Sequence, residues 1–160
     1  MKTLLSTVSK ISGVLHGIAS GALTFMMFIT VADVAGRAAG YPIMGTYEIV
    51  GLTGAIVIGF AVPFTSWQKG HIYMEFLLDR LPQTQRQVLN VFTRLLCIAL
   101  FIFIGYNLLQ VAADFRRAGE VSPTLQIPIF PVAYGVAICC FIECVVFVCD
   151  ILRIWEGTNE

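Results

Sequence analysis

The sequence predicts an all-α integral membrane protein with four transmembrane helices and a short amphipathic interfacial helix. Of its 160 residues, 58% are hydrophobic and 12% are charged, and the mean hydropathy is +0.83. Soluble domains average roughly 45–50% apolar and about 25% charged residues, so this chain has too few ionic groups to cover a water-facing surface. Four mostly apolar stretches of roughly 20 residues can each cross the ~30 Å hydrocarbon core as a helix.

The predicted spans cover about residues 11–32, 47–67, 88–113 and 128–152. Helices are expected because lipid offers no hydrogen-bond partners to the backbone, and the alternation typical of a membrane-barrel strand is absent. The connections and tails are short, so residues 1–160 are predicted to form a single membrane domain. The net charge of zero also argues against a nucleic-acid partner, which would require a basic excess.

The first span begins as a signal peptide would, with Lys2 and Lys10 ahead of an apolar run. The run is longer than the about 7–15 residues of a signal-peptide core, and no clean A-x-A cleavage site closes it. We therefore expect a retained first helix.

Two connections have features of their own. The segment at about residues 72–81 is predicted to be an amphipathic helix at the membrane interface, ended by Pro82. On a helix its apolar side chains share one face, opposite two acidic ones: Tyr73, Phe76, Leu77 and Leu81 against Glu75 and Asp79. The loop over residues 115–127 is expected to end in an extended or broken segment bracketed by Pro123 and Pro128.

The distribution of basic residues predicts the orientation. Four spans place both tails on one side, together with the loop between spans two and three. That side carries Lys2, Lys10, Lys69, Arg80, Arg86 and Arg153, against Arg37, Arg116 and Arg117 on the other. The positive-inside rule then places both termini in the cytoplasm. Lys69 and His71 are expected at the headgroup level, where they would anchor the chain to membrane lipid.

The cysteine and histidine side chains are the candidate ligands for a metal ion or a haem. All five cysteines fall inside predicted spans, and Cys140 and Cys144 share a helix face, but small apolar filler is the favoured interpretation. His16 could be a single haem ligand, whereas His71 lies at the membrane edge, too far out to pair with it. We predict no catalytic, cofactor-binding or metal-binding residue, and therefore not an enzyme.

Charged residues within the spans suggest structural pairs. An ionised Glu143 inside span four costs at least ~2.5 kcal/mol unless paired, and depth counting brings Arg94 of span three to a similar level. An Arg94–Glu143 ion pair that fixes helix register is favoured over a proton or ion relay. Asp33 and Arg37 at the end of span one, with Glu48 at the start of span two, are expected to form a surface cluster. At an interface with another membrane subunit this cluster could instead fix register.

Small residues recur at helical spacing in the first two spans. Gly13, Gly17 and Gly21 form a G-x-x-x-G-x-x-x-G pattern, and Gly51, Ala55 and Gly59 repeat the spacing. Such spacing lets helix backbones approach closely in lipid. The pattern predicts helix packing without showing whether the partner helix belongs to this chain.

A resemblance to a known family adds to these observations. Tyr47-Glu48, Gly59, Lys69-Gly70-His71-Ile72 and Glu75-Phe76-Leu77-Leu78 follow in an order that resembles the small permease subunit of tripartite ATP-independent periplasmic (TRAP) transporters, the DctQ family. Arg37 and Gly40, and later Leu125-Gln126-Ile127-Pro128 and Tyr134, fit the same pattern. The resemblance covers the whole chain, with mild departures at Tyr47 and Glu75.

The resemblance implies a subunit of a larger transporter in the bacterial inner membrane. In this family a large permease carries the substrate and sodium sites, and a periplasmic binding protein delivers an organic acid. The small subunit looks like a fixed scaffold, with interface or anchoring roles expected for Gly13, Gly17, Gly21, Arg37, Glu48, Gly51, Gly59, Lys69 and His71. Two alternatives stay open: the membrane anchor of a respiratory enzyme, and a small stand-alone exporter that would need Glu143 as its essential acid.

Overall fold

The computed structural model describes residues 2–68 and 83–155, with side chains described over 6–68, 85 and 88–152. These residues form four helices: α1 (Lys2–Ala38), α2 (Thr46–Trp67), α3 (Gln83–Ala118) and α4 (Phe130–Trp155). All four are long and apolar enough to cross a membrane, which confirms the predicted four-span, all-α fold. The interfacial helix predicted at about residues 72–81 lies outside the described residues.

The two longest helices extend well beyond their predicted spans. α1 has 37 residues and α3 has 36, so each is about 55 Å long at a rise of ~1.5 Å per residue, against a ~30 Å hydrocarbon core. The apolar stretch marks where lipid begins and ends. It does not mark the helix ends, because polar residues such as those at 83–87 and 114–118 continue a helix outside the lipid core.

The helices pack in the spatial order α1, α2, α4, α3. The extensive interfaces join α1 to α2, α2 to α4 and α4 to α3, whereas α1 contacts α4 only slightly. In the most apolar window of α4, 44% of the residues are buried, compared with 6% for α1 and 11% for α3. The core therefore follows α4, and the two outer helices turn most of their apolar surface away from the rest of the chain.

Two glycines allow close approach to α4. A Cβ atom at Gly59 of α2 would lie 3.0 Å from Val136 Cγ1, and one at Gly105 of α3 would lie 3.3 Å from Cys140 Cβ. Tight packing of this kind is how helices associate in lipid, where apolar burial gives no advantage over contact with acyl chains. The glycine pattern in α2 is thus used inside this chain, at least at Gly59.

The row of helices has two polar ends, which we call the loop end and the terminal end. At the loop end, α1 turns into α2 and α3 is connected to α4. At the terminal end, α1 and α3 begin while α2 and α4 finish. The α1–α2 turn uses Gly45 at φ +81°, and a Cβ atom there would lie 2.5 Å from Leu125 Cγ of the opposite loop. A left-handed backbone and a close contact therefore both favour glycine at this position.

Candidate functional site

The outer face of α1 carries an open stripe of small residues. A Cβ atom added at Gly13, Gly17 or Gly21 would meet nothing within 4 Å, so no other helix of the described chain lies against this stripe. Large apolar side chains farther along α1 are exposed, including Phe25, Phe28 and Val31. A small-residue stripe beside exposed apolar side chains is the geometry on which another transmembrane helix can pack closely.

The loop end is held together by Glu48. Its carboxylate accepts hydrogen bonds from Ser122 Oγ at 2.6 Å, from the backbone N–H of Thr124 at 2.7 Å and from that of Leu125 at 2.9 Å. Glu48 stands in the first turn of α2, where the helix dipole also favours a negative charge. We call these four residues the Glu48 anchor, because they tie the α3–α4 loop to the start of α2.

The anchored loop is a compact turn, which agrees with the broken and not with the extended form of the segment expected between Pro123 and Pro128. The Ser122 N–H donates to Ile127 O at 2.9 Å, and the Ile127 N–H donates to Ser122 Oγ at 3.3 Å. Gln126 adopts φ +54°, which closes the turn. The prolines predict a break in the helix. The side chain that holds the broken segment in its folded form is that of Glu48, 74 residues before Ser122 in the chain.

Asp33 and Arg37 form the expected i,i+4 pair, with Arg37 Nη2 2.7 Å from Asp33 Oδ2. Asp33 is buried and also accepts the backbone N–H of Ile43 at 3.0 Å, so it fixes the α1–α2 turn as well. The Arg37 guanidinium lies 5.5 Å from the centre of the Tyr47 ring, within cation–π range. Glu48 bonds to the α3–α4 loop instead of joining this pair, so the predicted cluster of three is two separate groups.

The intramembrane pairing of Arg94 differs from the prediction. Arg94 Nη2 lies 2.6 Å from Asp150 Oδ2, and Arg94 Nε donates to the same oxygen at 2.7 Å. Both side chains are largely buried, with exposures of 10% and 13%. The predicted Arg94–Glu143 ion pair is therefore wrong for this structure: Arg94 takes Asp150, the acid two helical turns farther along α4.

The register of α3 against α4 explains the difference. Cys144 Sγ lies 3.8 Å from Ile98 O, and the rings of Phe101 and Phe147 lie 6.0 Å apart. This antiparallel register places Glu143 near residue 102, about 12 Å along the helix from Arg94 at ~1.5 Å per residue. Depth counting from assumed span ends could not resolve that offset. The sequence does contain a signal for the observed pair, because Asp150 is a second acid within span four.

Glu143 instead faces α2. It is 0% exposed, and Ser66 Oγ donates a hydrogen bond to its Oε1. Glu143 Oε2 and the buried hydroxyl of Ser12 have no hydrogen-bond partner among the described residues. Serine is too common in membrane helices for Ser12 or Ser66 to have been selected from sequence alone.

The other candidate ligands make contacts with neighbouring side chains and backbone. The imidazole of His16 stacks on the Phe64 ring, with centroids 4.2 Å apart and planes 13° apart. Four of the five free cysteines are buried along α4, and Cys144 Sγ donates to Cys140 O at 3.2 Å. Over residues 2–68 and 83–155, no cluster of three His, Cys, Asp or Glu side chains is placed to hold a metal ion. Lys69 and His71 lie outside these ranges.

Fold and geometry together define a four-span membrane protein whose described polar centres join helices and loops to one another. The family model for the DctQ component of tripartite ATP-independent periplasmic transporters matches residues 26–157. The chain therefore belongs to the DctQ family, the small permease subunits of TRAP transporters. The search among curated proteins gave no match.

Proposed function

We propose that this chain is a fixed scaffold subunit that binds a large permease subunit within the membrane. The observation that carries the proposal is the open stripe of Gly13, Gly17 and Gly21, which no described part of the chain covers. The family match begins at residue 26, so the stripe is an independent structural argument added to family membership. The permease would carry out transport, while this subunit would supply packing surface and anchoring.

The assembled transporter is proposed to work as the resemblance implies. A periplasmic binding protein delivers an organic acid, and the large permease imports it together with sodium. The chain would lie in the bacterial inner membrane with both termini in the cytoplasm, in keeping with the excess of basic residues on the terminal side. The Glu48 anchor would then face the periplasm, and Lys69 and His71 the cytoplasmic headgroups.

Two alternatives are disfavoured by particular observations. A stand-alone exporter needs an accessible acid within the membrane, whereas Glu143 is fully buried and hydrogen-bonded to Ser66. A respiratory anchor that holds haem would need imidazole nitrogens directed into a shared pocket, whereas His16 packs flat against Phe64. Transport by the chain reconstituted alone, or haem absorbance of the purified protein, would favour the respective alternative.

Co-purification tests the proposal directly. The tagged chain, co-expressed with the large permease from its own transporter, is expected to co-purify with it at one-to-one stoichiometry. Gly17→Leu should abolish or strongly reduce this recovery, because the added side chain occupies the open stripe without meeting other atoms of this chain. Ala99→Leu, which adds bulk to an exposed position on the opposite outer helix, is the matched control.

The same experiment defines what would contradict the proposal. Equal permease recovery with Gly17→Leu and with the wild-type chain would remove the stripe from the interface. A monodisperse assembly that contains only copies of this chain and transports by itself would contradict the scaffold role as a whole.

A further inference from the structure

In the described part of the chain, two buried polar side-chain atoms in the terminal half of the helix row have no hydrogen-bond partner. Glu143 Oε1 accepts a hydrogen bond from Ser66, whereas Glu143 Oε2 has no hydrogen-bond partner among the described residues. Ser12 Oγ on α1, also 0% exposed, is in the same condition. Buried polar groups in native proteins nearly always bond to something, so the pair requires a physical explanation.

Packing places these two atoms at one level of the row. Val8 of α1 lies in one buried cluster with Val146 and Cys149 of α4. Because α1 and α4 are antiparallel, one helical turn inward from Val8 and from Val146 leads to Ser12 and Glu143. The Ser66–Glu143 hydrogen bond brings α2 to the same level.

The Ser12 hydroxyl is available to a neighbouring helix. The exposed hydroxyls of Thr24, Thr30 and Thr65 each donate to the carbonyl four residues earlier, at 2.9, 2.7 and 3.0 Å. This is the usual arrangement in membrane helices. Ser12 does not make that bond, although it lies in the same kind of helix, so its oxygen is left to interact with groups on α2 or α4.

Among the residues that the structure describes, no cation pairs with the Glu143 carboxylate. Arg94 on α3 is bound to Asp150, and His16 on α1 forms no ion pair with Glu143 within the described part of the chain. The other titratable groups on the neighbouring turns of α4 are Cys139, Cys140 and Cys144, and the last two turns of α2 contain none. An ionised carboxylate in this position would therefore be costly, because charge is expelled from a low-dielectric interior unless it is paired.

We propose that Glu143 is a neutral carboxylic acid at neutral pH that ties three helices together. Its carbonyl oxygen Oε1 accepts from Ser66, and its protonated Oε2 donates to Ser12 Oγ after a change of side-chain rotamer, because the two atoms do not form a hydrogen bond in the conformation of the structure. Both unpartnered atoms are then satisfied, and the outer helix α1 is linked to α4 at the terminal end. A bound hard cation fits less well, since the side-chain oxygens of Ser12, Ser66 and Glu143 are far fewer than the about 6–8 ligands that Ca²⁺ takes.

Infrared spectroscopy of the purified chain in lipid tests the proposal. The wild-type protein should show the carbonyl stretch of a protonated carboxylic acid at neutral pH, and Glu143→Gln should lose it. Glu48→Gln, at the opposite end of the row, is the matched control and should keep the band. Ser12→Ala should shift the band, because the acid loses its hydrogen-bond acceptor.

Stability and ion dependence provide a second readout. Glu143→Gln should melt close to the wild type, since an amide N–H₂ can replace the acid O–H, whereas Glu143→Leu should melt clearly lower. Absence of the band, or its persistence in Glu143→Gln, would overturn the proposal. So would a wild-type melting temperature that rises in sodium relative to choline and loses that response in Glu143→Gln, which would indicate a bound cation.

Discussion

At the residue scale, the two oxygens of Glu48 accept one hydroxyl and two backbone N–H groups from the α3–α4 loop. A loop without regular secondary structure has few backbone acceptors for its own N–H groups. A carboxylate from a neighbouring helix can accept hydrogen bonds from several of these groups at once. The shape of the loop end therefore depends on one side chain that lies outside the loop.

Glu48→Ala is expected to loosen that loop while leaving the four helices in place. Amide hydrogen exchange at Thr124 and Leu125 should accelerate by about tenfold or more, the factor expected from losing hydrogen bonds to a charged group. Glu120→Gln, which changes an exposed acid in the same connection, should leave exchange at these amides unchanged. Unaltered exchange in Glu48→Ala would mean that the anchor does not hold the loop in the membrane-embedded protein.

Arg94 and Asp150 should behave as one buried unit. Removing either partner leaves an uncompensated charge, so Arg94→Leu or Asp150→Leu alone should destabilise the fold by about 3–5 kcal/mol. The double variant should recover much of the loss, because a buried ion pair contributes little beyond what apolar packing would supply. Melting temperature and folded yield in detergent measure both effects.

An exposed ion pair on the same helix provides the control for that double-mutant cycle. Arg117 Nη1 lies 3.9 Å from Asp114 Oδ1, and the two side chains are 83% and 73% exposed. Arg117→Gln should change stability by less than about 1 kcal/mol, as is usual for surface pairs. Additive stability changes at Arg94 and Asp150, each as small as that of Arg117→Gln, would contradict the buried pairing.

At the element scale, Gly59 of α2 and the glycine stripe of α1 have different uses, whereas Gly51 of α2 is as open as the stripe. The space beside the Cα atom of Gly59 is occupied by the Val136 side chain of α4, whereas the stripe on α1 faces away from the described chain. The sequence spacing is the same in both helices, so only the packing order of the row separates a contact within the chain from a surface open to a partner.

Leucine substitutions should therefore separate folding from assembly. Gly59→Leu forces a large side chain against Val136 and should cost about 1–3 kcal/mol through overpacking. Gly17→Leu should leave the melting temperature of the isolated chain unchanged or slightly raised, since leucine favours helix over glycine. A loss of stability in Gly17→Leu equal to that in Gly59→Leu would show that the α1 stripe is covered within the chain.

What the sequence predicted well follows from the strength of each physical signal. Lipid requires long apolar helices, so hydropathy alone was enough to locate four spans. The helix ends of α1 and α3 were missed because polar residues continue a helix beyond the lipid core, where hydropathy gives no signal. The partner of Arg94 was missed because it depends on the register of α3 against α4, which composition does not encode. The Glu48–Ser122 bond joins residues 74 positions apart, and only the packing order of the helices brings them together.

At the scale of the whole molecule, the row of helices has opposite ends that must face opposite sides of the membrane. The positive-inside rule predicts that the terminal end faces the cytoplasm, which would put the anchored α3–α4 loop in the periplasm. The bias rests on six basic residues against three by position in the sequence: Lys2, Lys10, Lys69, Arg80, Arg86 and Arg153 against Arg37, Arg116 and Arg117.

Accessibility of single cysteines tests that orientation, in a background where the five native cysteines are replaced. Glu120→Cys, exposed in the α3–α4 loop, should react with a membrane-impermeant thiol reagent added to intact spheroplasts. Gln85→Cys, exposed at the start of α3, should react only after the membrane is opened, and His71→Cys should behave in the same way. The reverse pattern would place both termini in the periplasm and would remove Lys69 and His71 from the cytoplasmic headgroups. Because Glu120→Cys and Gln85→Cys report on opposite faces, labelling of both variants in intact spheroplasts would instead indicate that the chain inserts in two orientations, and a fixed scaffold would then be excluded.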